Sequence, residues 1–169
     1  MTKLLDIEME DVILPALCVW REARGVPAAW LAVFCTIRDR VENPKWWGRT
    51  LLEVIGKRWQ YSAMTAKGDP MLLKWPMECD TVDFRAFQEI KDVVLPALIC
   101  KPAHPFPGAD SYFDDRIPRP VWATDKTFCG RVGPLEFHNT DFSVEKIVPV
   151  TNELSVPVIA PDKIYKIKK

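Results

Sequence analysis

The sequence lacks any apolar run long enough to cross a bilayer, any Cys-x-x-Cys pair and any excess of charge of one sign. The first absence removes a membrane-spanning helix, which needs about 20 consecutive apolar residues. The second removes zinc knuckles and dithiol redox motifs, because the five cysteines stand far apart at 18, 35, 79, 100 and 129. Cys18, Cys35 and Cys100 fall in apolar helical runs and read as small buried thiols. Cys79 and Cys129 would have to meet His104 or His138 in a spacing that matches no ligand rhythm, so neither a metal nor another cofactor is expected. The third absence, 23 basic against 23 acidic side chains, leaves no general attraction to nucleic acid. No internal repeat and no low-complexity segment is evident, which sets solenoids aside.

What remains is a chain of 169 residues, enough for one compact domain that buries about two thirds of its extended surface without disulfides or metal. Seven tryptophans and eight phenylalanines are many for this length. Part of them belong in a core, but Trp46-Trp47 and Trp59-Gln60-Tyr61 lie in turn-rich sequence, where rings line grooves as readily as they cap a core.

Periodicity predicts a first helix carrying Ile13, Leu14, Leu17, Cys18 and Trp20, ended by Gly25 in a left-handed conformation. Pro27 fits the first turn of a second helix, with Leu31, Phe34, Ile37 or Arg38, and Val41 on its stripe, until Asn43-Pro44 stops it. Thr50 is placed to cap a short third helix through Ile55, with Glu53 completing a capping box and Gly56 near its end. Residues 62–80 read as mostly irregular, with Met71, Leu72, Leu73 and Trp75 tucked back onto the body. Asp80 or Thr81 opens a long helix striped by Phe84, Phe87, Ile90 or Lys91, Val94 and Leu98, with Pro96 kinking its last turns. The proline-rich stretch from Lys101 to Gly108 carries the chain across, and Ser111-Tyr112-Phe113, Val121-Trp122-Ala123-Thr124 and Leu135-Glu136-Phe137-His138 are short strand candidates. The fold class is α+β: a mainly helical body with a small antiparallel sheet. Residues 1–141 form the domain, and 142–169 are a proline-interrupted extension that packs on it or docks onto a partner.

One carboxylate stands out. Glu22 follows Cys18 by one turn at the flank of the apolar stripe, where partial burial would lift a carboxyl toward neutrality. The pattern alone favours a plainer role, an ion pair of Glu22 with Arg21 or Arg24 on a solvated face.

Motif order shifts that balance. Glu22-Ala23-Arg24-Gly25-Val26-Pro27, then Ile37-Arg38-Asp39-Arg40-Val41, Gln60-Tyr61-Ser62, Gly108-Ala109-Asp110-Ser111-Tyr112-Phe113 and Gly133-Pro134-Leu135-Glu136-Phe137 follow one another over residues 10–139. In order and approximate spacing they resemble the SleB-like cell wall hydrolase family, the family of the spore cortex-lytic enzymes. The resemblance implies a lysozyme-like fold and Glu22 as the catalytic acid. It further implies cleavage of peptidoglycan between N-acetylmuramic acid and N-acetylglucosamine, by a lytic transglycosylase in which the muramic 6-hydroxyl attacks. Gln60, Ser62, Tyr112, Tyr61 and Trp122 are then the substrate-binding candidates. Departures are clear: Val26 stands where an acidic residue is usual, Asp39 for asparagine, and Asp114 and Leu135 where histidines are frequent.

Within the same enzyme class a hydrolytic muramidase, which needs a second carboxylate, stays open, and so do two readings from other classes: a catalytically inactive peptidoglycan-binding or virion structural module, and an intracellular interaction protein with an exposed apolar surface near the C-terminal tail. Asp39 and Asp114 are the first candidates for that carboxylate, with Asp110 and Glu136 behind them. The only partner expected is bacterial peptidoglycan, with no nucleic acid, no membrane insertion and a monomeric state. Asp6, Glu8, Glu10 and Asp11 follow Met1-Thr2-Lys3-Leu4-Leu5 at once and interrupt a signal-type apolar core. The expectation is a chain made in the cytoplasm that reaches the wall after release, as a phage endolysin does through a membrane pore.

Overall fold

A computed structural model of the chain describes residues 7–58, 60–76 and 81–140. The expectations for Trp59, Cys79, Asp80, the Met71 side chain and the extension 142–169 fall outside the described residues.

Among the described residues, five α-helices and one sheet make the body: α1 (Met9–Ala23), α2 (Trp30–Glu42), α3 (Leu51–Gly56), α4 (Ser62–Thr65), α5 (Val82–Cys100), then β1 (Ser111–Asp114), β2 (Phe128–Val132) and β3 (Leu135–His138). Helix α1 is the central post. It packs against α5, α2, α3 and α4, and its Ala16, Cys18, Val19 and Trp20 have no exposed surface. Among the described residues no helix is long and apolar enough to cross a membrane.

Helix boundaries follow local chemistry. Thr81 Oγ1 accepts the Phe84 N–H at 3.1 Å and starts α5, and Thr50 Oγ1 does the same for Glu53 at 3.2 Å and starts α3. The capping box is only half made, because Glu53 Oε2 takes the N–H of Arg49, at 2.7 Å, rather than that of Thr50. The end of α1 differs from expectation. Gly25 has no positive φ. Instead Arg24 N–H bonds Trp20 O at 3.1 Å, Val26 N–H bonds Ala23 O at 2.9 Å, and the chain runs through a 3₁₀ turn (Pro27–Ala29) straight into α2. The Trp30 indole donates to Ala23 O at 2.9 Å, satisfying a carbonyl that a left-handed cap would have served.

The excursion after residue 62 is more ordered than its composition suggests. It holds α4 and a 3₁₀ turn (Pro70–Leu73), pinned to α1 by Arg21, whose guanidinium reaches Lys74 O at 3.1 Å and lies 5.1 Å from the Trp75 ring. Leu73 and Trp75 do not tuck in; they are 87% and 61% exposed. Cys100 is likewise exposed at the end of α5, not a buried thiol, whereas Cys18 and Cys35 are buried.

Helices α1 and α5 carry nearly the same heptapeptide, Asp11-Val12-Ile13-Leu14-Pro15-Ala16-Leu17 and Asp92-Val93-Val94-Leu95-Pro96-Ala97-Leu98. This short repeat corrects the expectation that none is present. The two copies are buried differently: Pro15, Ala16 and Leu17 all lie inside, while α5 buries Val94 and Ala97 and exposes Leu95 and Pro96. A central helix buries most of its circumference, and an outer one only the stripe it turns inward.

The sheet has the order β1-β3-β2 and is antiparallel throughout. Val121-Trp122-Ala123-Thr124 is a turn, not a strand. Ala123 N–H closes on Pro120 O at 3.0 Å, and Thr127 Oγ1 accepts the Thr124 N–H at 2.9 Å. The third strand is β2, joined to β3 by the two-residue turn Gly133-Pro134 with Gly133 at φ 55°. Register assigns the faces: Tyr112 pairs with Phe137 and Asp114 with Leu135, so these four share the face toward the helices. Glu136 and His138 point to the other face.

Candidate active site

Glu22 lies on the last turn of α1, one turn after the fully buried Cys18. The residue is half-buried, yet protein atoms crowd its carboxyl group, and that desolvation is the chief reason its pKa is raised from 4.5 to about 7. Negative charge on the nearby Asp69 pushes the same way, while the hydrogen bonds from Tyr112 and Ala63 and the charge of Arg40 oppose it. Tyr112 Oη donates to Glu22 Oε2 at 3.2 Å from β1, and Ala63 N–H donates to Oε1 at 3.3 Å from the first turn of α4. The expected ion pair with Arg21 or Arg24 is not the arrangement. Arg21 binds the excursion, and Arg24 pairs with Asp83 at 3.4 Å.

Beside Tyr112 lies a small cavity lined by Arg40, Gln60, Tyr61, Ser111, Tyr112 and Trp122, with about 10 Å³ open to the centre of a water-sized sphere. That is roughly the room one water needs. Gln60 Nε2 and Tyr61 Oη are buried and have no hydrogen-bond partner among the described residues. Buried polar groups seldom stay unpaired, so this cavity offers donors to a water or to a polar group of a ligand. Its wall is organised by Arg40, only 5% exposed. Arg40 donates to Asp110 O at 2.7 Å, to Gln60 Oε1 at 2.5 Å and to Ser111 Oγ at 3.2 Å, and lies 5.3 Å from the Trp47 ring and 5.4 Å from that of Tyr61.

The sequence-predicted residues thus divide. Gln60, Tyr61, Tyr112 and Trp122 line one cavity, and Tyr112 ties it to Glu22. Ser62 starts α4 and is exposed. Trp122 is 8% exposed and packs edge-on against Phe113 and His138, so it offers the cavity an edge rather than an open stacking face. Asp114 shares the Tyr112 face of β1, where hydrogen bonds from Arg116 hold its carboxyl below the usual range. Asp39 is next to Arg40 in sequence but about 100° around the helix. Its carboxylate is bound by Arg38, at 2.6 Å, which also donates to Pro102 O. Asp110 clamps Thr140 through its N–H at 2.9 Å and its hydroxyl at 2.7 Å. Glu136, on the opposite sheet face, is bound by Arg131, lies 3.6 Å from Arg119 and is kept ionised chiefly by Arg131.

Arg40, the Ala63 amide and Asp69 were not singled out by sequence. A signal existed for the first: Val33, Thr36, Ile37 and Arg40 recur at helical spacing, which puts Arg40 on the buried stripe of α2. Among the departures, Val26 has a structural reason, since a Cβ at Gly133 would lie 2.9 Å from its Cγ1 and the two thus pack closely at the hairpin.

No protein-family model matches this chain, nor does any curated protein or solved structure.

Proposed function

We propose that the protein, on a lysozyme-like variant of its α+β fold, cleaves peptidoglycan glycan strands between N-acetylmuramic acid and N-acetylglucosamine as a lytic transglycosylase. The observation that carries this reading is the Glu22 carboxyl, half-buried and raised to about 7, with a hydroxyl and an amide aimed at its two oxygens. A carboxyl with that pKa still holds its proton near neutrality and can deliver it to a departing glycosidic oxygen. Tyr112 and Ala63 then stabilise the carboxylate left behind, since both donate to its charged form. As the bond from the sugar carbon to that oxygen breaks, the muramic 6-hydroxyl forms a new bond to the same carbon, and its proton goes to the Glu22 carboxylate. The enzyme is restored and the product ends in an anhydro sugar. Gln60 Nε2 and Tyr61 Oη serve as donors to acetamido or hydroxyl oxygens. The order of the sequence motifs supports the same reading.

One observation favours a hydrolytic variant. Asp114 lies two residues beyond Tyr112 on the same face, about 6.7 Å along the strand, and Arg116 keeps it ionised. Such a carboxylate could activate water or stabilise a sugar cation.

Mass analysis of fragments released from purified peptidoglycan tests these readings. Ends lighter by one water mean transglycosylation, ordinary reducing ends mean hydrolysis, and freed amino groups rule out glycan cleavage. Glu22→Gln should lower cleavage by at least about a hundredfold while wall binding persists; undiminished cleavage by this variant would overturn the assignment. A parent protein that binds walls and releases nothing would be an inactive wall-binding module.

A further inference from the structure

The chain has two histidines, His104 and His138, and both are buried. At His104 the hydrogen bonds fix the state of the ring. Phe106 N–H donates to Nδ1 at 2.9 Å, so that nitrogen carries no proton. Nε2 lies 3.1 Å from Thr36 Oγ1, and Thr36 donates its own proton to Ala32 O at 2.9 Å, so Nε2 is the donor of that pair. The ring is therefore neutral and in one tautomer. It joins α2 to the segment that crosses from α5 to β1. A second proton has only Nδ1 to go to, where it would meet the Phe106 N–H, so acid and the Phe106 hydrogen bond exclude each other. Burial pulls the ring's pKa below the ordinary 6.5. The charges that act on it come from α2: Asp39 raises the value and Arg38 lowers it, and the Ala32 carbonyl raises it further. Asp39 and Arg38 are bound to each other at 2.6 Å. The crossing segment and β3 present the rings of Phe106 and Phe137 to it instead.

Phe106 carries this hold to the Glu22 site. Its ring covers Gly130 and stacks on Phe137, with centroids 4.8 Å apart. Phe137 is fully buried and lies 5.4 Å from the Tyr112 ring, whose hydroxyl donates to Glu22 at 3.2 Å. A shift of Phe106 thus uncovers the ring against which Tyr112 is set. We infer that His104 is a positioning residue: its neutral ring holds Phe106 in place, the ring stack keeps Tyr112 against Glu22, and protonation of His104 releases both. Only the kinetic part of this inference rests on the glycan-cleavage reading above. Its sign is opposite to that of Glu22. Glu22 needs its proton to act and keeps it in acid, whereas His104 supports the site only while unprotonated. Because the fold prefers the neutral ring, His104 contributes stability above pH 6.5 that is lost as pH falls through its own lower value. His138 is placed differently. Its Nδ1 meets the Thr127 hydroxyl at 3.0 Å and its Nε2 lies 3.5 Å from Glu136 Oε2, and neither neighbour excludes a second proton.

The test follows the full chain by NMR as the pH is lowered, reading the His104 ring, the Phe106 amide and the Tyr112 ring. Exchange protection of the Phe106 amide should fall about tenfold, the contribution of one hydrogen bond, with the midpoint of the His104 titration. The Tyr112 ring signals should move at that same midpoint. His104→Asn offers Phe106 an acceptor oxygen that does not titrate and should abolish both changes. His104→Leu offers none. Its Phe106 amide should be poorly protected at every pH, and its Glu22 titration should move above about 7 because the Tyr112 hydrogen bond that lowers it is loosened. In peptidoglycan turnover the parent's kcat should fall about tenfold below the His104 midpoint with KM little changed, and His104→Asn should lack that fall. A ring that stays neutral until the whole protein unfolds, a Phe106 amide indifferent to the ring's titration, or a His104→Asn protein with the parent's acid transition would each overturn the inference. If Glu22→Gln cleaves undiminished while Phe106 and Tyr112 still follow His104, the catalytic reading falls and the hold stands. If Glu22→Gln abolishes cleavage and Phe106 ignores His104, only the hold falls.

Discussion

A carboxyl group with its proton affinity raised to about 7 ties the stability of this protein to pH, whatever it does catalytically. The Glu22 value is 4.5 when unperturbed and about 7 in the fold. The protonated form is therefore favoured by folding, an advantage fully present below pH 4.5 and lost as pH rises through about 7. Above that, the folded state carries a charge that water would solvate better. Glu22→Gln keeps one acceptor oxygen, for the Ala63 N–H, and turns its NH2 toward the Tyr112 hydroxyl, which can accept from it, while the charge is removed. At pH 8.5 the variant should be more stable than its parent by about 2 kcal/mol, discounted for half-burial, and melt roughly 4–8 °C higher. At pH 4 the two melting curves should coincide. Tyr112→Phe acts on the same equilibrium from the other side. It removes a hydrogen bond that favours the carboxylate, so the Glu22 titration followed by carbon NMR should move to higher pH; a downward move would mean Tyr112 does not donate there.

Among the elements, the sheet is the part held by close approach rather than by propensity. Strand β2 carries a glycine at its bulge, opposite Phe137, and the Phe106 ring lies over it: a Cβ at Gly130 would be 2.2 Å from Phe106 Cδ1. Phe106 in turn stacks on Phe137, with centroids 4.8 Å apart, and Phe137 lies 5.4 Å from the Tyr112 ring. Gly130→Ala should displace this stack at a cost of about 1–3 kcal/mol in urea unfolding. It should also change the near-ultraviolet dichroism of the aromatic residues. The helices have simpler origins. Caps at Thr50 and Thr81 and breakers at Asn43-Pro44 act within a few residues, which is why their limits were legible in the sequence. Strand β2 was not, because an edge strand with a glycine and a bulge shows no alternation of polar and apolar residues. The Gly133-Pro134 dipeptide before Leu135 was its one local mark.

For the molecule as a whole, Arg40 joins the helical body to the sheet and to the chain around Gln60. Its guanidinium is bonded to groups from residues 60, 110 and 111, and Trp47 and Tyr61 enclose it. Replacing it with methionine would fill much of the volume but leave the Asp110 carbonyl and the Gln60 amide oxygen without their donor. Arg40→Met should cost about 3 kcal/mol, a fall in Tm of roughly 6–12 °C, and should loosen the cavity beside Tyr112. Hydrogen exchange at residues 110–112 would register that loosening, and protection equal to the parent's would refute the joint role.

By itself the sequence determined the α+β class, the presence of the long helices with the end of α2 and the start of α5, two of the strands, and Glu22 at the flank of an apolar stripe. Each depends on residues within one or two turns of one another. Which burial each element received was decided only in three dimensions: one heptapeptide lies deep in α1 and half outside in α5. Tertiary structure also put Asp114 on the Tyr112 side of the sheet and Glu136 on the other, and made Arg40 the hub of the cavity. The pKa of Glu22 belongs to this second group. Desolvation comes from whatever packs around a charge, and here α4 and β1, distant in sequence from α1, supply it.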